Sequence, residues 1–289
     1  MTASMSSGVP AGPRPARNDW QARAKRQFIV PLVVVNLAVV LVGALRLASG
    51  DGWNWAGPIV AGSGIFLLFG LIYLYRRRSL HAGPAMALAL AGTVIGFAGA
   101  ITPGLVAAGA LAITALYVFW YSRLARSPSP HLEIGRTLPS LSFRDLDGHE
   151  VNTSGWRGTP TILLFYRGNW CPLCNVQVQE LAAGYREIEA RGAQVVLVSP
   201  QPADLSRKLA AKFDAPMHFL VDAGNVAART LGIEHPGGTP VIMRSYDAET
   251  VFPTAIVLDA EGVVRFAHQT DNYRVRPDPA LFLGVLDGT

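Results

Sequence analysis

Up to position 121 the apolar residues of this chain come in long unbroken runs; beyond position 131 they come in short runs punctuated by Gly, Pro, Asp and Asn. The long runs are Phe28–Ala48, Pro58–Tyr75, Pro84–Ile101 and Gly104–Tyr121, of 18–21 residues each. At the rise of an α-helix they reach roughly 27–31 Å, one hydrocarbon thickness, so all four are predicted to span a bilayer. A cleaved signal peptide is the rival reading of the first run, but its apolar region is too long and three more spans follow. In the second region, period and punctuation predict strands near Leu141–Arg144, Thr161–Tyr166, Gln194–Ser199, His218–Val221, Ala255–Leu258 and Val263–His268. Helices are predicted near Pro172–Ala190, Pro202–Phe213, Asn225–Leu231 and Pro279–Leu286. Strands alternating with helices make this region α/β with a mixed sheet. The domain plan is therefore a basic arm over 1–27, a four-helix transmembrane domain over 28–121, a linker over 122–131 containing Ser127-Pro128-Ser129-Pro130, and a second domain over 132–289.

Charge divides the chain at the same place. Residues 1–130 carry 11 of the 25 Lys and Arg but only Asp19 and Asp51 among the acids, a net of +9, whereas the remainder has a net of −4. Positive charge beside long apolar runs reads as membrane topology, which excludes a wholly soluble protein and a nucleic-acid binder. Arg14, Arg17, Arg23, Lys25 and Arg26 precede the first run, Arg76, Arg77 and Arg78 follow the second, and Arg123 and Arg126 follow the fourth. The 49–57 loop and the Thr102-Pro103 turn have no basic residue, so both termini are expected to face the cytoplasm, in an integral protein of the inner membrane. Trp53, Trp55, Tyr73, Tyr75, Trp120 and Tyr121 mark the ends of runs, as interfacial anchors do. Inside the runs there is no Cys, His, Asp or Glu, which excludes a thiol relay across the bilayer and bis-histidine haem. Gly92 and Gly96 are spaced for close helix packing, read here as packing within one bundle.

The candidate chemistry is Thr161-Ile-Leu-Leu-Phe-Tyr-Arg-Gly-Asn-Trp-Cys171-Pro-Leu-Cys174, which holds the only two cysteines. An apolar strand ends in a Gly-containing turn, and Cys171 then falls at the start of a helix with Pro172 in its first turn. Free amides and the helix dipole favour a thiolate there, below the usual thiol pKa of about 8.5. Cys171 is thus the expected exposed nucleophile, and Cys174, one turn on, the thiol that resolves a mixed disulfide. A zinc site would need two more ligands, and His218, His235 and His268 are scattered singly, so no metal is expected.

Residues of about 132–288 resemble the alkyl hydroperoxide reductase/thiol-specific antioxidant redoxins of the thioredoxin superfamily, most closely the peroxiredoxin-like branch. The resemblance rests on Phe165 to Cys174, Val198-Ser-Pro-Gln201, Val221-Asp222 with Leu231-Gly232, Leu258-Asp-Ala-Glu-Gly262, Phe266-Ala-His268 and Asp271 to Pro277. It implies a thioredoxin-like fold in which the proline of Phe252-Pro253-Thr254 is cis and faces the cysteines. Together with the predicted spans, it makes the expected protein a membrane-anchored thiol–disulfide oxidoreductase that reduces disulfides or peroxides, with no cofactor beyond the Cys171–Cys174 dithiol. An external thiol donor, such as a thioredoxin or a small thiol, would reset it. A thiol peroxidase and a membrane redox sensor without turnover are the alternatives. Cys171, Cys174 and Pro253 are the expected catalytic residues; Trp170, Arg167, Tyr166 and Thr254 are expected to shape the site, and His268 is a further candidate. The family's Pro, and its Thr or Ser, before the reactive cysteine are Leu164 and Gly168 here, so its peroxide pocket is not reproduced residue by residue. Arg167 and Arg244 are candidate replacement cations, weighed against ordinary surface positions.

Overall fold

The computed structural model describes residues 19–75 and 81–288. The expected basic clusters at Arg14 and Arg17 and at 76–78 lie outside the described residues. The long apolar runs form four helices: α1 (Asp19–Ala48), α2 (Ala56–Tyr75), α3 (Gly83–Phe97) and α4 (Ile101–Leu116), the last continued by a π-helical turn over Tyr117–Tyr121. They alternate in direction. At one end Gly43 of α1 meets Trp55 and Pro58, and Gly96 of α3 meets Pro103 and Gly104 of α4. At the other end Leu32, Ile72, Ala85 and Tyr117 share one apolar core. Small residues set the spacing: a Cβ on Gly92 would stand 2.3 Å from the backbone N of Ala61, and one on Gly57 would stand 2.5 Å from the carbonyl O of Gly92. The Gly92/Gly96 pair therefore packs inside the bundle.

Three helical segments, Trp20–Ala48, Trp53–Ile72 and Ile101–Tyr121, are long and apolar enough to cross a membrane. The third predicted span is shorter than expected, because α3 has 15 residues, about 22 Å of helix. The break falls at 98–100, with Ala100 extended, rather than at Thr102-Pro103. Pro103 is accommodated in the first turn of α4, where its missing N–H deprives the helix of nothing.

The second region is a seven-stranded mixed sheet whose strands are ordered β2-β1-β5-β4-β3-β8-β9. β3 (Thr161–Phe165), β4 (Gln194–Ser199) and β5 (His218–Val221) are parallel; β8 (Thr254–Leu258) runs antiparallel to β3, and β9 (Val264–His268) antiparallel to β8. β1 (Ser142–Arg144) and β2 (Glu150–Asn152) form the far edge, and β6 (Glu234–His235) pairs with β7 (Thr250–Val251) apart from the sheet. Every residue of β3 and β8 is buried, as central strands covered on both faces should be. The helices are α5 (Pro172–Ala183), α6 (Tyr185–Glu189), α7 (Ala203–Ala210), α8 (Val226–Thr230) and α9 (Pro279–Leu286). The single helix expected over Pro172–Ala190 is broken at Gly184, whose backbone leaves the helical region.

The two regions share a core. Leu32, Ile65, Leu68, Ile72 and Tyr117 of the bundle join Leu173, Val176 and Phe282 in one cluster. The 122–131 segment is bonded down along the chain that follows β9. The Leu124 N–H donates to the Asp271 carbonyl (2.6 Å), the Tyr273 N–H to the Ser122 carbonyl (3.1 Å), and the Ser129 N–H to Gln269 Oε1 (2.7 Å).

Candidate active site

β3 delivers the chain into the loop Tyr166-Arg167-Gly168-Asn169-Trp170, and Cys171 caps α5 with extended backbone (φ −90°, ψ 107°), followed by Pro172 at the first helical position. The Cys171 carbonyl accepts the N–H groups of Cys174 and Asn175, both at 3.1 Å, so the cysteine is held at the first turn as its sequence position predicts. Gly168 has φ +143°, a conformation that disfavours any side chain, and a Cβ there would stand 2.9 Å from Trp170 Nε1. A residue with a hydroxyl side chain would therefore be strained at this position. Gln201, 3% exposed, fastens the loop from α7's side: its Oε1 accepts the Asn169 N–H (2.9 Å), and its amide donates to Asn169 Oδ1 (2.8 Å) and Ser206 Oγ (2.9 Å).

The two thiols are in contact, with Cys174 Sγ donating to Cys171 Sγ at 2.7 Å. Burial acts to push the Cys171 thiol up. The hydrogen bond from Cys174 and the nearby charges of Arg167 and Arg276 outweigh it and hold Cys171 at about 6, while burial and the Cys171 charge push Cys174 up. The pair is thus asymmetric, with one thiolate and one thiol at neutral pH.

The expected exposure of Cys171 is corrected: only 2% of its surface is open. The bundle accounts for this. Tyr117 and Tyr121, on the last turn after α4, lie within electrostatic range of Cys171. Tyr273 completes the cover, its hydroxyl 2.6 Å from that of Tyr117 and its ring edge-on to both Tyr117 and Tyr121. Arg167 is also not the surface residue weighed above. It is 5% exposed, its guanidinium lies 4.5 Å over the Trp170 ring, and it donates to the Gly238 carbonyl. Arg244 is exposed. Trp170 thus lies next to the cysteine in sequence with Arg167 stacked on its ring.

The Phe252–Pro253 peptide is trans, since the structure contains no cis bond among its described residues, and this overturns the cis expectation. The physical reason is local. The chain passes almost directly from β7 to β8, an extended path that suits the intrinsic trans preference, and the Phe252 N–H stays bonded to the Ile233 carbonyl at 2.7 Å. Pro253 directly precedes β8, whose Thr254 pairs with Phe165 at the end of β3. Its carbonyl accepts from Arg126 (3.2 Å), which also donates to Thr254 Oγ1 (3.1 Å). The proline's backbone is therefore taken up by an arginine of the connecting segment. Tyr166 is buried with its hydroxyl toward Gln201 (3.1 Å) and Ser206 (3.4 Å), and burial pushes it up to about 12; its part is to fasten the loop. His268 is held down at about 4 by burial and by Arg276 and Arg126, so it is neutral at physiological pH. No cluster of three or more His, Cys, Asp or Glu among the described residues is arranged for a metal.

Arg276, Arg126, Gln201, Tyr117 and Tyr273 were not singled out for the site from sequence. Arg276 and Tyr273 lie within the Asp271-to-Pro277 stretch and Gln201 ends the Val198-to-Gln201 stretch, so those segments were visible while their roles were not. Arg126 reads as an ordinary topology signal, and Tyr117 lies inside the fourth apolar run with nothing to mark it.

A strand leading into a helix-capping cysteine of a Cys-x-x-Cys pair, on a mixed sheet flanked by helices, defines a thioredoxin-fold redoxin. Residues 134–267 match the model of the AhpC/TSA family. Peroxiredoxin Q of the chloroplast from Oryza sativa subsp. japonica is 27% identical over 135 residues, 46% of this chain and 58% of the relative. Thiol-disulfide oxidoreductase ResA of Bacillus cereus is 22% identical over 161 residues, 55% of this chain and 80% of the relative. Among solved structures, peroxidoxin BcpB of Mycobacterium tuberculosis aligns with a TM-score of 0.46 and 21% identity, over 55% of this chain and 98% of that one. The chain spans about half the length of the peroxiredoxin Q relatives it matches, from 46% to 58%.

Proposed function

We propose that this protein is a membrane-anchored thiol-dependent oxidoreductase in which Cys171 reacts, Cys174 resolves, and a hydroperoxide is the oxidising substrate. The observation that carries this reading is the asymmetric thiol pair, 2.7 Å apart, beneath two guanidinium groups and closed to bulk solvent. A small hydroperoxide needs only a narrow path to a buried sulfur, and Trp170 Nε1, buried with no hydrogen-bond partner, is a donor for its oxygen. The Cys171 thiolate attacks the terminal peroxide oxygen: an S–O bond forms, the O–O bond breaks, and the alkoxide takes a proton to leave as an alcohol. Cys174 then attacks the sulfenic sulfur, an S–S bond forms, and the hydroxyl leaves as water with the Cys174 proton. Two exchange steps with an external dithiol of the thioredoxin type restore the pair. No cofactor beyond the dithiol is required.

Dithiol–disulfide exchange with a protein substrate is the second reading, favoured by the Cys-x-x-Cys spacing and the likeness to ResA. It requires the cover of Tyr117, Tyr121 and Tyr273 to lift. In this reading of the whole chain, the arm over 1–27, the four spans over 28–121, the linker over 122–131 and the redoxin domain over 132–289 form an inner-membrane protein whose redox domain faces the cytoplasm. The alternating helices, with the redoxin domain on the end that holds Lys25, Arg26 and Arg123, support that orientation. Comparing hydroperoxide consumption with insulin-disulfide reduction by the full chain in lipid tests the proposal. Faster peroxide reduction is expected, and insulin reduction alone would overturn it.

A further inference from the structure

Between the bundle and the redoxin domain lies a recess that Arg167 and Tyr273 line and the thiol pair does not. Its walls carry Lys25, Arg26, Arg123 and Arg167 together with Tyr121 and Tyr273, and among the described residues no Asp or Glu lines it. Four cations converging without an acid among them would repel one another unless an anion were present. Part of that charge is met inside the protein: Arg123 lies 3.6 Å from Asp271, and Lys25 donates to the Arg123 carbonyl. Two donors are not met among the described residues. The Nε atoms of Arg26 and Arg167 are both buried and have no hydrogen-bond partner there, and with Arg167 only 5% exposed a buried unpaired donor is costly. The recess is also well placed. Lys25 and Arg26 immediately precede the first long apolar run, Arg123 follows Trp120-Tyr121 at the end of the fourth, and the Val241 N–H ties the redoxin domain to the Arg26 carbonyl at 3.0 Å.

We infer that this recess is a binding site for the anionic headgroup of a bilayer phospholipid, whose phosphodiester is held by Arg26, Arg123 and Arg167. The chemistry recognised is a phosphate oxyanion, for which planar guanidinium groups are the preferred protein partners. The lipid is the source because the recess opens at the level where the apolar runs begin and end, a placement that rests on the membrane reading above. The occupant would sit one side chain away from Cys171, since Arg167 and Tyr121 face both sites.

The full chain, reconstituted in nanodiscs of phosphatidylcholine with and without phosphatidylglycerol, is then released for native mass spectrometry, and the retained lipid is counted. Failure of the chain to enter discs would count against the membrane reading and this inference together; entry isolates the headgroup question. Wild type and Arg23→Gln, which removes an exposed cation one turn away, are expected to retain phosphatidylglycerol in preference to phosphatidylcholine. Arg26→Gln should lower that retention by about tenfold, the loss of one charge-assisted contact, and Arg26→Lys should keep most of it. Equal retention by Arg23→Gln and Arg26→Gln overturns the site. Displacement of the lipid by millimolar inorganic phosphate overturns the lipid source, leaving a free-anion site. A second measurement does not depend on lipid counting: phosphatidylglycerol should slow alkylation of Cys171 in wild type and Arg23→Gln but not in Arg26→Gln, because an anion beside Arg167 offsets the charge that favours the thiolate.

Discussion

The bundle and the redoxin domain hold themselves together in opposite ways. In the bundle, Gly57, Gly92 and Gly96 bring helix backbones into contact, and no Cys, His, Asp or Glu lies within the apolar runs. In the redoxin domain, β-branched and leucine side chains of β3, β4 and β8 fill both faces of a sheet. Arg167, Arg276, the tyrosines at 117, 121 and 273 and the two thiols gather where the two meet. The seam is the one part of the molecule where polar atoms can be buried with partners drawn from both sides. An active site at such a seam gains low dielectric and shielding from water, which a surface redox motif lacks.

The strongest test of the seam is at the sulfur. Cys171→Ser is expected to abolish turnover, a loss of at least about 10³-fold, because a hydroxyl at that position is not ionised at neutral pH. Cys174→Ser should retain one stoichiometric round of peroxide consumption and then stop, leaving a sulfenic acid that dimedone traps. Rapid-mixing measurement of peroxide loss separates the two. Multiple turnovers by Cys174→Ser without added thiol would mean that resolution does not use the pair.

The next largest effect comes from separating the two regions. A protease site inserted at Ser127–Pro130 should, after cleavage and release of the redoxin domain, raise the rate of Cys171 alkylation by a bulky maleimide by about tenfold or more. The released domain loses Tyr117, Tyr121 and Arg126 from around the site. An unchanged rate would mean that the bundle only anchors the domain and does not cover its chemistry.

How far the sequence reveals this arrangement depends on the range of each interaction. The strand β3, the capping position of Cys171 and the apolar helices are set by neighbours a few residues apart, and all were legible as pattern. The Cys171–Cys174 pair is likewise local. Arg126 meets Pro253 across 127 positions and Tyr117 meets Tyr273 across 156, and no periodicity reports such a contact. Arg167 illustrates the boundary between the two. Its position four residues before the cysteine was visible, but its burial depends on Trp170, Tyr273 and Gly238 together. The trans peptide at Pro253 belongs here too: the proline was legible, while its geometry is set by the path from β7 to β8.

A smaller effect tests the charge at the seam. Arg167→Met removes one of the two cations that hold Cys171 down, so the Cys171 pKa rises and its thiolate fraction near pH 6 falls by roughly threefold to tenfold. The sign follows from the cation: it stabilises the charged form, and without it alkylation rates should rise with pH later than in wild type. Arg167→Lys keeps the charge and should move the profile less. A profile of Arg167→Met that overlays wild type would assign the depression to Cys174 and Arg276 alone.

The smallest expected effect concerns the one side-chain hydrogen bond joining the tyrosines across the seam. Tyr117→Phe deletes a hydroxyl 2.6 Å from that of Tyr273 and leaves the aromatic packing in place. Net hydrogen bonds of this kind contribute about 1 kcal/mol, so the closed arrangement should weaken by about fivefold, read as faster Cys171 alkylation in the intact chain. Tyr273→Phe should act alike. The informative measurement is the double variant. If the two hydroxyls serve only each other, Tyr117→Phe with Tyr273→Phe should cost no more than either alone, because the second change removes a group already left without its partner. Additive losses would instead mean that each hydroxyl stabilises its own region, and the seam would then be held by apolar contact and by the backbone bonds of 122–129, with the tyrosines acting as a lid and not as a latch.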